Sequence, residues 1–307
     1  VTSSPAPAAS RTALLSAFAA IYLIWGSTYL AIRVAVEALP PFTLAGARFI
    51  VAGSLLYAWL AWQGRAKTTP RQWRDNAILG ALLLVGGNAV VTWAEVKIPS
   101  GITTLLISIN PLLMVAFDWM SPKGNRPTWV TFAGLALGFG GLVLLVGSGA
   151  GGTPLDRWSC AGILFACVCW SFGSVYSRQV KNPADPLLGA ALQMLLGGVP
   201  MLLIGQFRGE PAGFHLHDVT TRSVLAWAYL VVAGSLIAFP AYLYLLKHST
   251  PARASTYAYV NPIVAVFLGW LILGEPVTGR TFFAAAIIIA AVTIITTQKV
   301  RAAAKKT

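Results

Sequence analysis

The chain predicts an all-α integral membrane fold, with ten transmembrane helices arranged as two inverted five-helix repeats around a central cavity. Three observations carry that prediction. Hydrophobic residues make up 57% of the 307 residues and charged residues 10%, with a mean hydropathy of +0.72. A soluble globular chain is roughly one quarter charged, so this one has lipid as its solvent. Two passages then say nearly the same thing. One half carries Trp25-Gly26-Ser27-Thr28-Tyr29, Arg33 and later Ile109-Asn110-Pro111; the other carries Trp170-Ser171-Phe172-Gly173-Ser174, Arg178 and later Val260-Asn261-Pro262. The Trp pair is offset by 145 residues (25 to 170) and the Asn-Pro pair by 151 (110 to 261). Each half holds five apolar runs, an odd number, so the second unit enters the membrane from the opposite face.

At about 20 apolar residues per span, the helices fall at 13–36, 41–62, 77–96, 101–120 and 127–147, then 159–179, 186–206, 223–246, 253–273 and 279–298. The first run follows Arg11 but is too long for a signal-peptide core, so it is a span. Basic residues in the gaps test the count. Those on the side of the termini hold Arg11; Arg65, Lys67, Arg71 and Arg74; Lys123 and Arg126; Arg178 and Lys181; Lys247 and Arg253; and Lys299, Arg301, Lys305 and Lys306, which is 15. The opposite gaps hold Arg33, Lys97, Arg157, Arg208, Arg222 and Arg280, which is 6, with Arg48 inside a helix. By the positive-inside rule both termini are cytoplasmic. The organisation is a tail (1–11), a first repeat (12–148), a connector (149–158), a second repeat (159–298) and a basic tail (299–307).

Several functions drop out. The net charge of +13 does not mark nucleic-acid binding, because the 22 Lys and Arg are scattered among short gaps rather than gathered into a basic face. Cys160, Cys167 and Cys169 share one apolar run and have neither disulfide nor zinc spacing. His215 and His217 lie in a loop without a closing metal-ligand set. Gly147 to Gly152 is a connector, since no phosphate-binding Lys comes after it. No catalytic constellation and no cofactor are expected. The expected partners are a small solute and the bilayer; the sequence sets no oligomeric state, and a monomer is compatible with it.

Polar and aromatic residues at membrane depth are the candidates for solute binding. Trp25 lies roughly 18 Å along its helix, too deep for an interfacial belt, and Trp170 is its repeat partner. Trp59, Trp62 and Trp73 read as interfacial anchors. Asn88 and Thr92 share a helix face and need either another helix or a cavity. Trp93 matches Tyr244 at the offset of 151 (93 to 244). Ser174 belongs to the repeated motif, and the Asn-Pro segments add Ser108, Asn110, Tyr257, Tyr259 and Asn261. Pro111 and Pro262 are expected to kink their helices, with Gly26 and Gly173 as companion hinge positions and Gly87 allowing close helix approach. Static packing is the competing reading of each of these features, and for the glycines it is the simpler one. Arg48 and Glu95 are buried-charge candidates, as an ion pair or as a proton-coupling acid and its neighbour; Lys97 is a third party nearby.

Taken in order, Trp25–Tyr29, Gly46-Ala47-Arg48-Phe49, Pro99-Ser100-Gly101, Trp170–Tyr176, Tyr257–Pro262 and Leu273-Gly274-Glu275 resemble the EamA type of the drug/metabolite transporter superfamily, and within it the YedA-like exporters. The resemblance covers roughly 12 to 298. It implies a ten-helix inverted-repeat fold in the inner membrane and export of small metabolites, with amino acids a well-known class. One departure is the end of the fourth helix, where Phe117-Asp118-Trp119 stands in place of the Gly-Glu that Gly274-Glu275 retains in the other half. The expected function is therefore export of small organic solutes by alternating access, amino acids first and aromatic or large apolar ones included. Efflux of hydrophobic or cationic drugs, or a non-transporting sensor or scaffold, are the alternatives.

Overall fold

The computed structural model describes residues 10–98, 100–122, 124, 126–146, 156–180, 183, 185–273 and 279–304. In chain order the helices are α1 (Arg11–Ala35), α2 (Pro41–Trp62), α3 (Pro70–Ala94), α4 (Ser100–Ile107), α5 (Asn110–Met120), α6 (Trp129–Val146), α7 (Arg157–Tyr176), α8 (Pro186–Phe207), α9 (Thr221–His248), α10 (Pro251–Ala254), α11 (Tyr257–Leu273) and α12 (Gly279–Ala304). There is no strand among the described residues. Six of these helices, α1–α3 and α7–α9, are 20 to 28 residues long and apolar enough to cross a bilayer. Glu275 lies outside the described residues, as do Pro99, Lys123, Lys181 and most of the expected connector.

Helix starts follow from side chains that satisfy the free N–H groups of the first turn. Thr69 and Gln72 form a capping box ahead of α3, with Pro70 in its first turn, so this helix begins seven residues before the expected 77. Asp156 accepts from the Ser159 N–H at 2.9 Å to start α7, and Thr220 accepts from the Ser223 N–H at 3.1 Å to start α9. The first turn of α2 is held from a distance. Glu210, in a turn after α8, accepts from the N–H groups of Phe42 (3.1 Å) and Thr43 (2.8 Å) and from the Thr43 hydroxyl (2.8 Å). A carboxylate on three donors at a helix N-terminus is a strong cap. Glu210→Ala is expected to cost about 1–2 kcal/mol, read as a lower thermal midpoint in detergent, with Glu210→Gln losing less.

Two expected helices are interrupted, at places that do not match. The expected helix 101–120 ends at Ile107 and restarts at Asn110 with Pro111 in its first turn, so Pro111 begins a helix rather than kinking one. In the other half the chain breaks at Ser255–Thr256, between α10 and α11, and α11 runs through Pro262 without a break. The likeness between the halves lies elsewhere. Wide, π-helical turns occupy Gly80–Ala89 of α3 and Leu230–Ala238 of α9. In α9, Pro240 comes just after the wide turns, and its missing N–H removes a regular i→i−4 bond; in α3, Gly80, Gly86 and Gly87 supply the backbone freedom.

Packing also recurs between the halves: α2 lies on α8, α6 on α12, α1 on α11 and α9, and α7 on α5 and α3. Small residues bring the backbones together. A Cβ on Gly26 would meet Val264 at 2.6 Å, and one on Gly173 would meet Leu82 at 3.0 Å. Both expected hinge glycines therefore stand at tight helix crossings. Apolar side chains face outward: Trp62 is 85% and Trp129 88% exposed, as suits a surface turned to lipid and its interface. Trp73 donates from its indole N–H to the Thr68 hydroxyl at 2.8 Å, as an anchoring residue does.

Candidate functional site

Helices from both halves meet at an aromatic cluster in the middle of the molecule. Trp25 of α1 lies 5.5 Å from Trp170 of α7, 4.9 Å from Tyr242 of α9 and 5.0 Å from Tyr257 of α11, centroid to centroid. Trp170 stacks on Tyr242 at 5.2 Å and donates its indole N–H to the Tyr242 hydroxyl at 3.0 Å. That hydroxyl also lies 2.6 Å from the Ser174 hydroxyl and 3.9 Å from the Met114 sulfur. Trp170 keeps its place because Gly87 yields it room: a Cβ there would come 2.9 Å from the indole. Tilted and edge-on rings at these distances add about 0.5–1.5 kcal/mol per pair beyond area burial.

One side of the cluster opens into a small cavity of ≈ 80 Å³. On α1 its wall runs from Trp25 through Thr28 and Tyr29 to Ile32, toward the Arg33 end, and the N-terminal half of that helix contributes nothing. Asn88 of α3, Asn110 of α5 and Tyr257 join the wall, as do Arg48 and Phe49 of α2 and Gly234 of α9. Asn110 is held by the Ser171 hydroxyl, which donates to its side-chain oxygen at 3.2 Å. Of the expected site, then, Trp25, Asn88, Asn110, Trp170, Tyr257 and Arg48 share one cavity.

The other candidates lie away from its wall. Thr92 donates to the Asn88 carbonyl of its own helix at 2.9 Å. Trp93 packs against Gly162, where a Cβ would come 2.8 Å from its ring. Ser174 sits behind the cluster on Tyr242, and Ser108 is buried at the break between α4 and α5. Tyr244 lies 4.2 Å from the His248 ring; the ring facing Trp170 is Tyr242, two residues earlier and on another face of the helix. Tyr259 is fully buried and donates to the Leu135 carbonyl at 3.2 Å, tying α11 to α6. Asn261 is buried on α11 beside Gly26.

The two charges do not meet. Arg48, 3% exposed, donates from Nε to the Ser235 hydroxyl at 2.7 Å and lies 4.7 Å from the Phe49 ring centre. Glu95 is fully buried, and neither carboxylate oxygen has a hydrogen-bond partner. Arg33 passes the carboxylate by and donates to the backbone carbonyls of Glu95 (2.9 Å) and Val96 (3.3 Å), while Lys97 pairs with Asp156 at 3.6 Å. Each buried charge is expensive, about 2.5–3.5 kcal/mol on the insertion scale. Asp118, standing where the resemblance puts a glycine-glutamate pair, is also buried and pairs with Arg178 at 3.0 Å, joining the two halves.

Sequence reasoning missed Thr28, Tyr29, Phe49, Tyr242 and the Gly234-Ser235 pair. For Thr28 and Tyr29 a signal existed, since positions three and four beyond Trp25 share its face. Ser235 had none: its partner is a helix 187 residues away.

Relatives bear on what such a cavity serves. The chain matches the EamA-like transporter family over residues 12–147 and again over 157–297. It is 38% identical to the uncharacterized inner membrane transporter YedA of Escherichia coli strain K12, over 93% of this chain and 91% of that one. It is 25% identical to a chloroplastic WAT1-related protein of Arabidopsis thaliana, over 92% and 68% of the respective chains. A solved crystal structure, 23% identical, superposes with a TM-score of 0.77 over 95% of this chain and 99% of its own, a likeness of fold alone. With a matching family pattern in each half and an inner membrane transporter 38% identical over nearly its whole length, this chain belongs to the EamA-like transporter family.

Proposed function

We propose that the protein exports small organic solutes across the inner membrane by alternating access, with amino acids, aromatic and large apolar ones included, as the leading class. The observation that carries this reading is the aromatic cluster: the first helix of each half contributes one Trp, and the cavity opens to one side of them only. Ten spans in two inverted five-helix units, divided at the connector 149–158, would put Trp25 and Trp170 at matching depths. The paired wide turns of α3 and α9 and the recurring helix contacts support that arrangement. Opening then alternates as the halves rock, and the broken helices around Pro111 and Ser255 are the joints best placed to move, with Gly26, Gly173 and Pro262 at crossings that must slide. The split of 15 to 6 basic residues supports cytoplasmic termini, an orientation in which the cavity would open to the opposite face.

The test is efflux from proteoliposomes preloaded with labelled amino acids, with and without a proton gradient. Saturable efflux of phenylalanine, leucine or tryptophan above empty liposomes is the expected result. A rate that tracks the gradient would support Glu95 as the coupling acid, and a rate indifferent to it would remove that role. No movement from folded protein would end the amino-acid reading.

A further inference from the structure

We propose that Arg48 anchors a carboxylate of the solute, in the cavity it shares with Trp25 and Trp170; this rests on the transport reading above. Arg48 is almost wholly buried, lines the cavity, and has no acid within ion-pair distance among the described residues. Its Nε is taken by Ser235, and Nη1 has no hydrogen-bond partner. Glu95 does not reach it, and its own carboxylate oxygens are buried without a hydrogen-bond partner.

The fork is also positioned. The Ser235 hydroxyl holds Nε at 2.7 Å, and the Phe49 ring lies 4.7 Å from the guanidinium carbon. Nη2 rests against Gly234, where a Cβ would stand 2.7 Å from it, so the lack of a side chain there is what seats the guanidinium. A guanidinium fixed in plane with Nη1 unpartnered can donate a charge-assisted hydrogen bond to a carboxylate. Burying such a cation without an anion is unfavourable, and a bound carboxylate would relieve it. Trp25 and Trp170 line the same cavity, so the solute that suits it carries an acid group and an apolar or aromatic body. Asn88, whose side-chain oxygen is buried and unpartnered on the same cavity, could then accept from an ammonium group.

Thermal stabilisation of the purified full chain tests the anchor apart from transport. The probes are phenylalanine, phenylacetate, phenethylamine and inorganic phosphate, applied to the wild type, Arg48→Gln and Arg48→Lys. Phenylalanine and phenylacetate are expected to stabilise the wild type, and phenethylamine is not. In Arg48→Gln the half-saturating concentration should rise about tenfold or more, and in Arg48→Lys less, because charge remains while the planar fork is lost. Phenethylamine acting as well as phenylacetate, phosphate acting in place of the carboxylates, no response to either carboxylate, or an Arg48→Gln response equal to the wild type would each overturn the proposal. Should Arg48→Gln fail to fold, Arg48→Lys carries the test: a weakened carboxylate response supports the anchor and an unchanged one refutes it. Stabilisation by phenylacetate from a protein that moves no amino acid in liposomes would retire the amino-acid reading and leave the anchor standing.

Discussion

Trp25→Ala is expected to weaken solute affinity about tenfold or more while leaving the yield of folded protein close to that of the wild type. The ring is only half-buried, it borders the cavity, and its neighbours Trp170, Tyr242 and Tyr257 remain in contact with one another without it. Loss of stacking area of this size is worth roughly 1–3 kcal/mol of binding, which is about one to two decades of affinity. Tyr242→Ala is the contrasting case. That ring is fully buried and its hydroxyl serves Trp170 and Ser174, so truncation should cost about 3–5 kcal/mol of stability. Tyr242→Phe should fold but leave the Trp170 N–H without its acceptor, at about 1–3 kcal/mol. Competition of labelled phenylalanine by unlabelled analogues, beside the melting midpoint of each variant, separates the effects. If Trp25→Ala keeps wild-type affinity, stacking does not select the solute and the cluster is packing.

What the chain discloses about itself divides along a physical line. Apolar length and the alternation of basic gaps are one-dimensional properties, so the long spans at 13–36, 41–62, 186–206 and 223–246 stand within two residues of α1, α2, α8 and α9. The repeat motif finds Trp25 and Trp170 because both halves carry the residue type at the same place in the motif. It misleads at Tyr244, since carrying Trp93 across at a constant offset assumes two helices in the same rotational phase. Wide turns occupy α3 and α9 over stretches of 10 and 9 residues, and each wide turn rotates the next stretch of helix relative to the one before it. The same assumption made Pro111 and Pro262 equivalent, although one opens a helix and the other sits inside one. Arg48 was legible as a charge out of place, whereas its partner Ser235 was not. An apolar run gives no phase to a lone serine, and the pairing is a property of how two helices cross.

Gly80→Val is expected to abolish most folded protein, while Gly140→Val leaves it intact. Both are glycines inside apolar spans, and nothing in the sequence ranks one above the other. In the fold, a Cβ on Gly80 would come 2.7 Å from the Gln193 carbonyl oxygen and 3.1 Å from the Gly197 nitrogen, whereas one on Gly140 meets nothing within 4 Å. The obstruction at Gly80 is backbone, which cannot rotate away as a side chain does, so α3 and α8 would have to separate along the crossing that seats the wide turns. Overpacking costs about 1–3 kcal/mol when side chains can yield, and a rigid backbone contact pushes the cost to the upper end or beyond. Asn76 and Gln193 bond across the same crossing at 2.8 Å and would be parted with it. Gly87→Val should behave differently again, since the neighbour it displaces is the Trp170 ring at 2.9 Å rather than a backbone. Folded yield by size-exclusion chromatography ranks the three: Gly140→Val at wild-type level, Gly87→Val reduced, Gly80→Val lowest. A Gly80→Val yield equal to that of Gly140→Val would mean that α3 and α8 do not approach so closely, and the wide turns of α3 would then need another cause.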